Sequence, residues 1–269
     1  MHLLSSPLVK VLTFTGSTAV GKRLAAMAAN NLQRCVLELG SHSPVIVLAD
    51  ADIDEAARAI SDYKFECAGQ SCNAPSRILV EHTIYSTFME RLVELAAGIK
   101  IGSGDDPKAQ MGPMANIRRI EAMAKLTQDA VERGARIETG GARLDREGFF
   151  WPPTILSNVA PESAVLHEEP FGPILTVTSF ATVEAAIEQA NSTRYGLASY
   201  CFTVADDSKR ALIGGLAAGS VSVNRLKGVS ADAPNAGIGD SGYGYEGGTE
   251  GFRAFQNLKL VNGAEVLLR

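Results

Sequence analysis

Basic residues are few and scattered. The chain of 269 residues holds 25 lysines and arginines against 30 acids, with no basic run. A net charge of −5 without a cationic stripe excludes an electropositive nucleic-acid groove and offers no grip on an anionic membrane surface. Cysteine is scarce too. Cys35, Cys67, Cys72 and Cys201 make no CxxC pair and no Cys/His set at metal-site spacing, which argues against a disulfide framework or a zinc site and for reduced thiols in a cytoplasmic protein. No apolar run approaches the ~20 residues that span a bilayer. The opening MHLLSSPLVKVLTF has no basic or small-residue marks of a secretory leader. Internal repeats and low-complexity tracts are missing as well.

What is present is a globular composition: 46% hydrophobic, 20% charged and 26 glycines. The length suits one large domain or two ordinary ones. VKVLTF (9–14) reads as a strand that stops at TGST, and the alanine-rich segment after it as a helix. CVLEL (35–39) and PVIVL (44–48) are further strands, the second apolar enough to be buried on both faces. Asp52 and Glu55 have capping-box spacing for a helix, and 86–99 and 116–134 are amphipathic helices, the latter closed by Gly134. ARIETGG, GPILTVTSF and YCFTVA supply later strands, with TVEAAIEQANS a helix between them. This alternation predicts an α/β fold with a largely parallel sheet and flanking helices. Residues 233–251 are crowded with glycine and read as a close-packed loop, and LKLVNGAEVLL as an extended arm.

Three places could carry chemistry. Gly16 and Ser17, between a strand and a helix, put unpaired amides where a phosphate could sit, although an ordinary turn has the same pattern. Glu38, inside an apolar strand, either faces water or occupies a pocket that raises its pKa into the range of a general base; the strand pattern by itself favours water. Cys72 follows Gly69-Gln70, where a flexible residue can turn the thiol into a cleft, between polar Ser71 and Asn73. A core thiol is the alternative, and Cys35, Cys67 and Cys201 share it.

The segments FTGSTAVGK, LELG, GQSC, EEPFGPIL, ANSTRYGLAS, GSVSVN and SGYGYEGG stand in the order and spacing of the aldehyde dehydrogenase superfamily, which the chain resembles from about residue 8 to 261. The resemblance implies NAD(P)-dependent oxidation of a small aldehyde. Cys72 would be the nucleophile, forming a thiohemiacetal and then a thioester, and Glu38 the base that activates water. Cys67 would stay structural. Gly16 and Ser17 would hold the cofactor pyrophosphate, Leu39 the nicotinamide amide, and Glu169 with Phe171 the nicotinamide ribose. NAD versus NADP is left open.

The resemblance further implies a remnant of a Rossmann-like cofactor domain over 1–39, a catalytic domain over 40–237, and a C-terminal segment with an oligomerisation arm over 238–269. The family's oxyanion-hole asparagine and most of its cofactor domain lie upstream of the segments matched. On that reading VKVLTF and CVLEL would be left with unpaired edges. Homo-oligomers are the expected assembly, with no membrane, nucleic-acid or metal partner. The rival expectation is a catalytically silent module that acts through association. Asn235 stands where the family often has a tunnel phenylalanine, and Val229 at another tunnel position, with Ser71 and Asn73 beside the thiol. Arg225 and Lys227 could face a substrate carboxylate or simply be solvated. A carboxylated or polar aldehyde is therefore expected, of the succinate-semialdehyde kind. His42 is expected on a surface loop.

Overall fold

The computed structural model describes residues 2–228 and 230–262. In chain order the elements are β1 (Val11–Thr15), α1 (Thr18–Ala29), β2 (Arg34–Glu38), β3 (Pro44–Val47), α2 (Ile53–Phe65), β4 (Arg77–Glu81), α3 (Tyr85–Ala97), α4 (Ile117–Glu132), β5 (Arg136–Thr139), β6 (Thr154–Ser157) and β7 (Ile174–Phe180). Then come α5 (Val183–Ala190), β8 (Tyr195–Gly196), β9 (Ala198–Phe202), α6 (Asp206–Gly215), β10 (Ser220–Val223), β11 (Ile238–Gly239), β12 (Gly242–Tyr243) and α7 (Glu250–Arg253). Among the described residues no helix is long and apolar enough to cross a membrane.

A seven-stranded sheet in the order β10-β9-β3-β4-β7-β6-β5 forms the body, parallel throughout except for the antiparallel β5 edge. Every residue of β3 is buried, as its unbroken apolar run requires. Its side chains alternate. Val45 and Val47 pack into the larger core with Ile60 of α2, Phe88 and Leu92 of α3 and Met123 of α4, while Ile46 and Leu48 pack on the other face with Ala186 of α5 and Leu212 of α6. Local signals set the helix starts: the Asp52 carboxylate accepts from the Glu55 amide at 3.0 Å, and Thr182 caps α5 through the Ala185 amide at 3.2 Å. Gly134, at φ +97°, ends α4.

A second, three-stranded sheet has β2 at its centre, paired with β1 in parallel and with β12 antiparallel. The expectation of an unpaired edge therefore fails for CVLEL. Gly242 and Tyr243 return from the glycine-rich region to fill that edge, and Gly242 can do so because it has φ +107° and no side chain; a Cβ there would stand 1.9 Å from the Leu37 carbonyl oxygen. β1 has no second partner strand among the described residues. Of the arm expected at 258–268, residues 258–262 carry no regular structure and expose Leu258 and Leu260; the remainder lies outside the described residues, as does Val229.

The two sheets are joined by residues 39–43, all buried. His42 lies in this crossing with only 1% of its surface exposed, which corrects its placement on a surface loop. Its Nε2 donates to the Val165 carbonyl at 3.0 Å, so Nδ1 accepts from the Ser76 hydroxyl at 2.5 Å. Burial and the neighbouring Arg77 and Lys64 charges hold its pKa well below the usual histidine value. Arg77, at the start of β4, donates to the carbonyls of His42, Gln189 and Ala190 at 3.1, 2.9 and 2.8 Å. Arg77→Met would leave three buried acceptors with fewer donors and is expected to lower stability by about 3 kcal/mol, read as a lower urea midpoint with an unchanged m-value.

Candidate active site

The nucleophile candidate sits just past the end of α2, where the chain makes a sharp reversal. Cys67, Ala68 and Gly69 are all left-handed, at φ +52°, +53° and +68°, a costly run for two non-glycine residues. Gly69 is required twice over, because a Cβ there would meet the Gly172 carbonyl oxygen at 2.3 Å. That approach locks the cysteine loop against the loop that carries Glu169 and Phe171. Gln70 braces it: its amide donates to the Cys67 carbonyl at 3.0 Å and accepts from the Ala115 amide at 2.8 Å. Cys72 emerges half-buried, whereas Cys67 is exposed and free, so a structural part for Cys67 is not supported by burial.

Glu38 ends β2 with 4% of its surface exposed, so the solvated alternative is overturned. Its Oε2 accepts from the Asn235 side-chain amide at 3.3 Å, and Oε1 is buried without a partner among the described residues. Burial, and secondarily the carboxylate of Glu246, push its pKa up to about 7. Asn235, expected to line the substrate space, touches this carboxyl directly, and is itself tied to Glu246 by two backbone bonds of 2.7 and 2.9 Å.

The Cys72 thiol also lies above its ordinary pKa. Burial is the main cause, followed by the Glu38 and Glu169 carboxylates, while the amides of Cys72 and Asn73 act in the opposite direction. Thiol and carboxyl therefore compete. A thiolate at Cys72 forms at least cost when Glu38 carries a proton. Asn73 is held by its carbonyl, which accepts from the Tyr200 hydroxyl at 2.8 Å, and its buried Oδ1 has no partner. Ser71 and Asn73 line a cavity of about 330 Å³ beside the thiol. A larger cavity, about 730 Å³ between α3 and strands β5 to β7, has none of these groups in its described wall.

On the other side of the crossing stands Glu169. Its Oε1 accepts from the Ser41 amide at 2.9 Å, and Gly40 leaves it room, since a Cβ on Gly40 would meet Oε2 at 2.6 Å. Burial raises its pKa against the pull of the Ser41 amide, Arg119 and Lys64. Lys64 was missed in the sequence. It is 1% exposed, and burial brings its pKa down to about 7 despite the Glu169 charge. Its spacing was the available signal: Ala56, Ile60 and Lys64 form one buried row of α2. Arg119 was missed also; it donates to the Pro170 carbonyl and holds its guanidinium 5.9 Å from the Phe171 ring centroid.

A nicotinamide nucleotide fits these residues. Ser17 caps α1 without using its hydroxyl, no acid occupies the first turn, and the Gly16 amide is the only one there taken by β2, through the Glu38 carbonyl at 3.0 Å. Glu169 offers a carboxylate oxygen to a ribose hydroxyl, and Phe171, at φ +41°, exposes 36% of its surface. Leu39 is buried against Gly21 at the base of the same helix.

The parallel α/β body, with a half-buried thiol and a buried carboxyl that feel one another's charge near the junction of its two sheets, can be set beside known proteins. The sequence model described as the aldehyde dehydrogenase family matches residues 1–261, and the chain belongs to that family. It is 42% identical over 264 residues to a 4-(hydroxymethyl)benzenesulfonate dehydrogenase of Comamonas testosteroni, covering 97% of this chain and 54% of that protein. To the NADP(+) succinate-semialdehyde dehydrogenase 1 of Mycobacterium tuberculosis it is 37% identical over 259 residues, covering 96% and 57%. The crystal structure of lactaldehyde dehydrogenase from Escherichia coli superposes with a TM-score of 0.90 at 36% identity, over 93% of this chain and 52% of that one. The chain thus spans about half the length of the curated relatives it matches.

Two outcomes follow from the coupled acids. Glu38→Gln removes a carboxylate that opposes the thiolate, so the Cys72 pKa falls and its alkylation by iodoacetamide at pH 8 speeds up. Because Glu38 binds its proton more tightly folded than unfolded, it costs stability as pH rises from its ordinary value of about 4.5 through about 7. The Gln variant is therefore expected to gain about 1 kcal/mol over the parent at pH 8, allowing for screening from the adjoining cavity, and nothing at pH 4.

Proposed function

We propose that Cys72 and Glu38 are the nucleophile and base of an NAD(P)-dependent oxidation of an aldehyde to its acid. The observation that carries this is the pairing of a half-buried thiol with a buried carboxyl of pKa about 7 in one electrostatic field. Sulfur adds to the aldehyde carbon as its own proton leaves for Glu38, giving a thiohemiacetal whose oxygen faces the amides at Cys72 and Asn73. Bound NAD or NADP supplies the hydride acceptor. Once the carbon has lost hydride it is a Cys72 thioester. Glu38, deprotonated again, takes a proton from water as the water oxygen adds to the thioester carbon, and the acid leaves with the thiol restored.

Gly16, Ser17, Leu39, Glu169 and Phe171 are proposed to hold the cofactor, with Lys64 and Arg119 setting the charge around Glu169. Ser71, Asn73 and Asn235 are proposed to border the substrate. A polar aldehyde suits them, and the similarity to a succinate-semialdehyde dehydrogenase makes succinic semialdehyde the first to try. Four free thiols suit a reducing compartment such as the cytoplasm. Assembly as a homo-oligomer belongs to the same reading.

The test is reduced-nicotinamide formation, followed by absorbance, with succinic semialdehyde and a panel of small aldehydes against NAD and NADP. Turnover is expected to vanish in Cys72→Ala, and to fall by about a hundredfold or more in Glu38→Gln while intact-mass spectrometry finds an acyl group on Cys72. Turnover that survives Cys72→Ala would overturn the assignment.

A further inference from the structure

Two cavities share Gly228, and the first takes in Ser71 and Asn73, the chain neighbours of Cys72. The first, about 330 Å³, is lined by Tyr63, Glu66, Cys67, Ser71, Asn73 and Lys227 besides Gly228. The second, about 210 Å³, includes Tyr200, Ser222 and Asn235 and has no charged residue among its described lining. Tyr63 from one and Tyr200 from the other stand edge to face, ring centroids 6.3 Å apart, and the Cys72 charge acts on both phenols. The described linings of these two cavities are therefore rings, hydroxyls, amides and small side chains, with one exception.

The exception is a pair of opposite charges. Lys227 Nζ lies 2.6 Å from Glu66 Oε2 and 5.8 Å from the Tyr63 ring centroid. Both side chains are more than half exposed, so the pair stands on the solvent side of the cavity that borders the thiol. A lone lysine there would draw in anions and hold a substrate carboxylate. Bound to Glu66, its charge is cancelled except at very short range, because the field of a close ion pair falls away faster than that of a single charge. The pair adds little to stability at this exposure. Its effect on incoming molecules is independent of that.

We propose that Glu66 is a specificity-determining residue: by masking Lys227 it sets the approach to Cys72 for uncharged polar aldehydes and against carboxylate-bearing ones. The inference rests on Cys72 being the reacting thiol, but its test needs no cofactor and no turnover. Iodoacetate and iodoacetamide differ by one negative charge and attack the same sulfur, so their relative rates read the field at the approach.

The experiment measures alkylation of Cys72 by each reagent at low ionic strength, by peptide mass, in a Cys67→Ser background, since Cys67 lines the same cavity. Glu66→Gln is expected to raise the iodoacetate-to-iodoacetamide rate ratio about fivefold, the size of one unmasked charge at this kind of site. Adding Lys227→Met to it should return the ratio to within about twofold of the parent, with the neutral reagent's rate steady throughout. A ratio unmoved by Glu66→Gln, or a rise that persists without Lys227, would overturn the proposal, as would a Cys72 that neither reagent reaches in the folded chain. Where turnover is found, kcat/KM for succinic semialdehyde should rise in Glu66→Gln with that for an uncharged aldehyde unchanged. An absent turnover would count against the enzymatic reading alone, because the alkylation ratio decides the filter separately.

Discussion

The site depends on the five buried residues that carry the chain from one sheet to the other. A buried backbone must have its polar groups met, and here several parts of the molecule supply the partners. The Leu39 amide donates to Ser241, the Gly40 carbonyl accepts from the Ser241 hydroxyl, the Ser41 amide donates to Glu169, and the His42 and Ser43 carbonyls accept from Arg77 and Ser76. The crossing therefore fixes the glycine-rich return, the Glu169 loop and the start of β4 with respect to one another. Glu38 immediately precedes it, and β4 follows directly from the Cys72 loop. Hydrogen bonding that satisfies a connector thus fixes where Glu38 and the Cys72 loop stand.

Burial then does the chemical tuning. A carboxyl at about 7, a thiol above its usual range and a lysine brought down to about 7 occupy neighbouring positions for one reason, the exclusion of solvent from the junction. Removing water weakens every charged form, so each group shifts towards its neutral state. The Glu38 and Glu169 carboxylates add a negative field that favours the protonated thiol, as Glu246 favours the protonated form of Glu38. The amides at Cys72 and Asn73 oppose it locally, where a developing oxyanion or thiolate would need them.

Period and punctuation made most of the body legible. β3 reads as buried on both faces and is, Asp52 starts α2, Gly134 stops α4, and the parallel α/β order follows from strands alternating with amphipathic helices. The misreadings share a cause. The strand pattern favours water for Glu38, His42 is expected on a surface loop, and Lys64 draws no notice, yet each is buried with partners from distant segments: Asn235 for Glu38, Val165 for His42, Glu169 for Lys64. Local pattern cannot supply such partners. Likewise β12 is two residues long and set by positive-φ glycines, too short for any periodicity to mark it as the strand that completes the small sheet. The order of conserved-looking segments in the family resemblance did place Glu38 at a site, which the strand pattern alone had steered away from.

That short strand imposes an order of events on a chain made from its N-terminus. Gly242 pairs with Glu38 across 204 intervening steps of sequence (242 − 38 = 204), by far later than the helices and strands that build the larger sheet. On a ribosome, the Glu38 strand is made with one edge open and keeps it open until Gly242 and Tyr243 have followed it out of the exit tunnel. Until then Ser241 cannot close over the crossing, and Asn235 and Glu246 cannot enclose the carboxyl. The nascent polypeptide carries an ordinary, solvated glutamate. Its altered acidity arrives only once the later glycine-rich segment has been made and folded back over it, a delay set by topology alone.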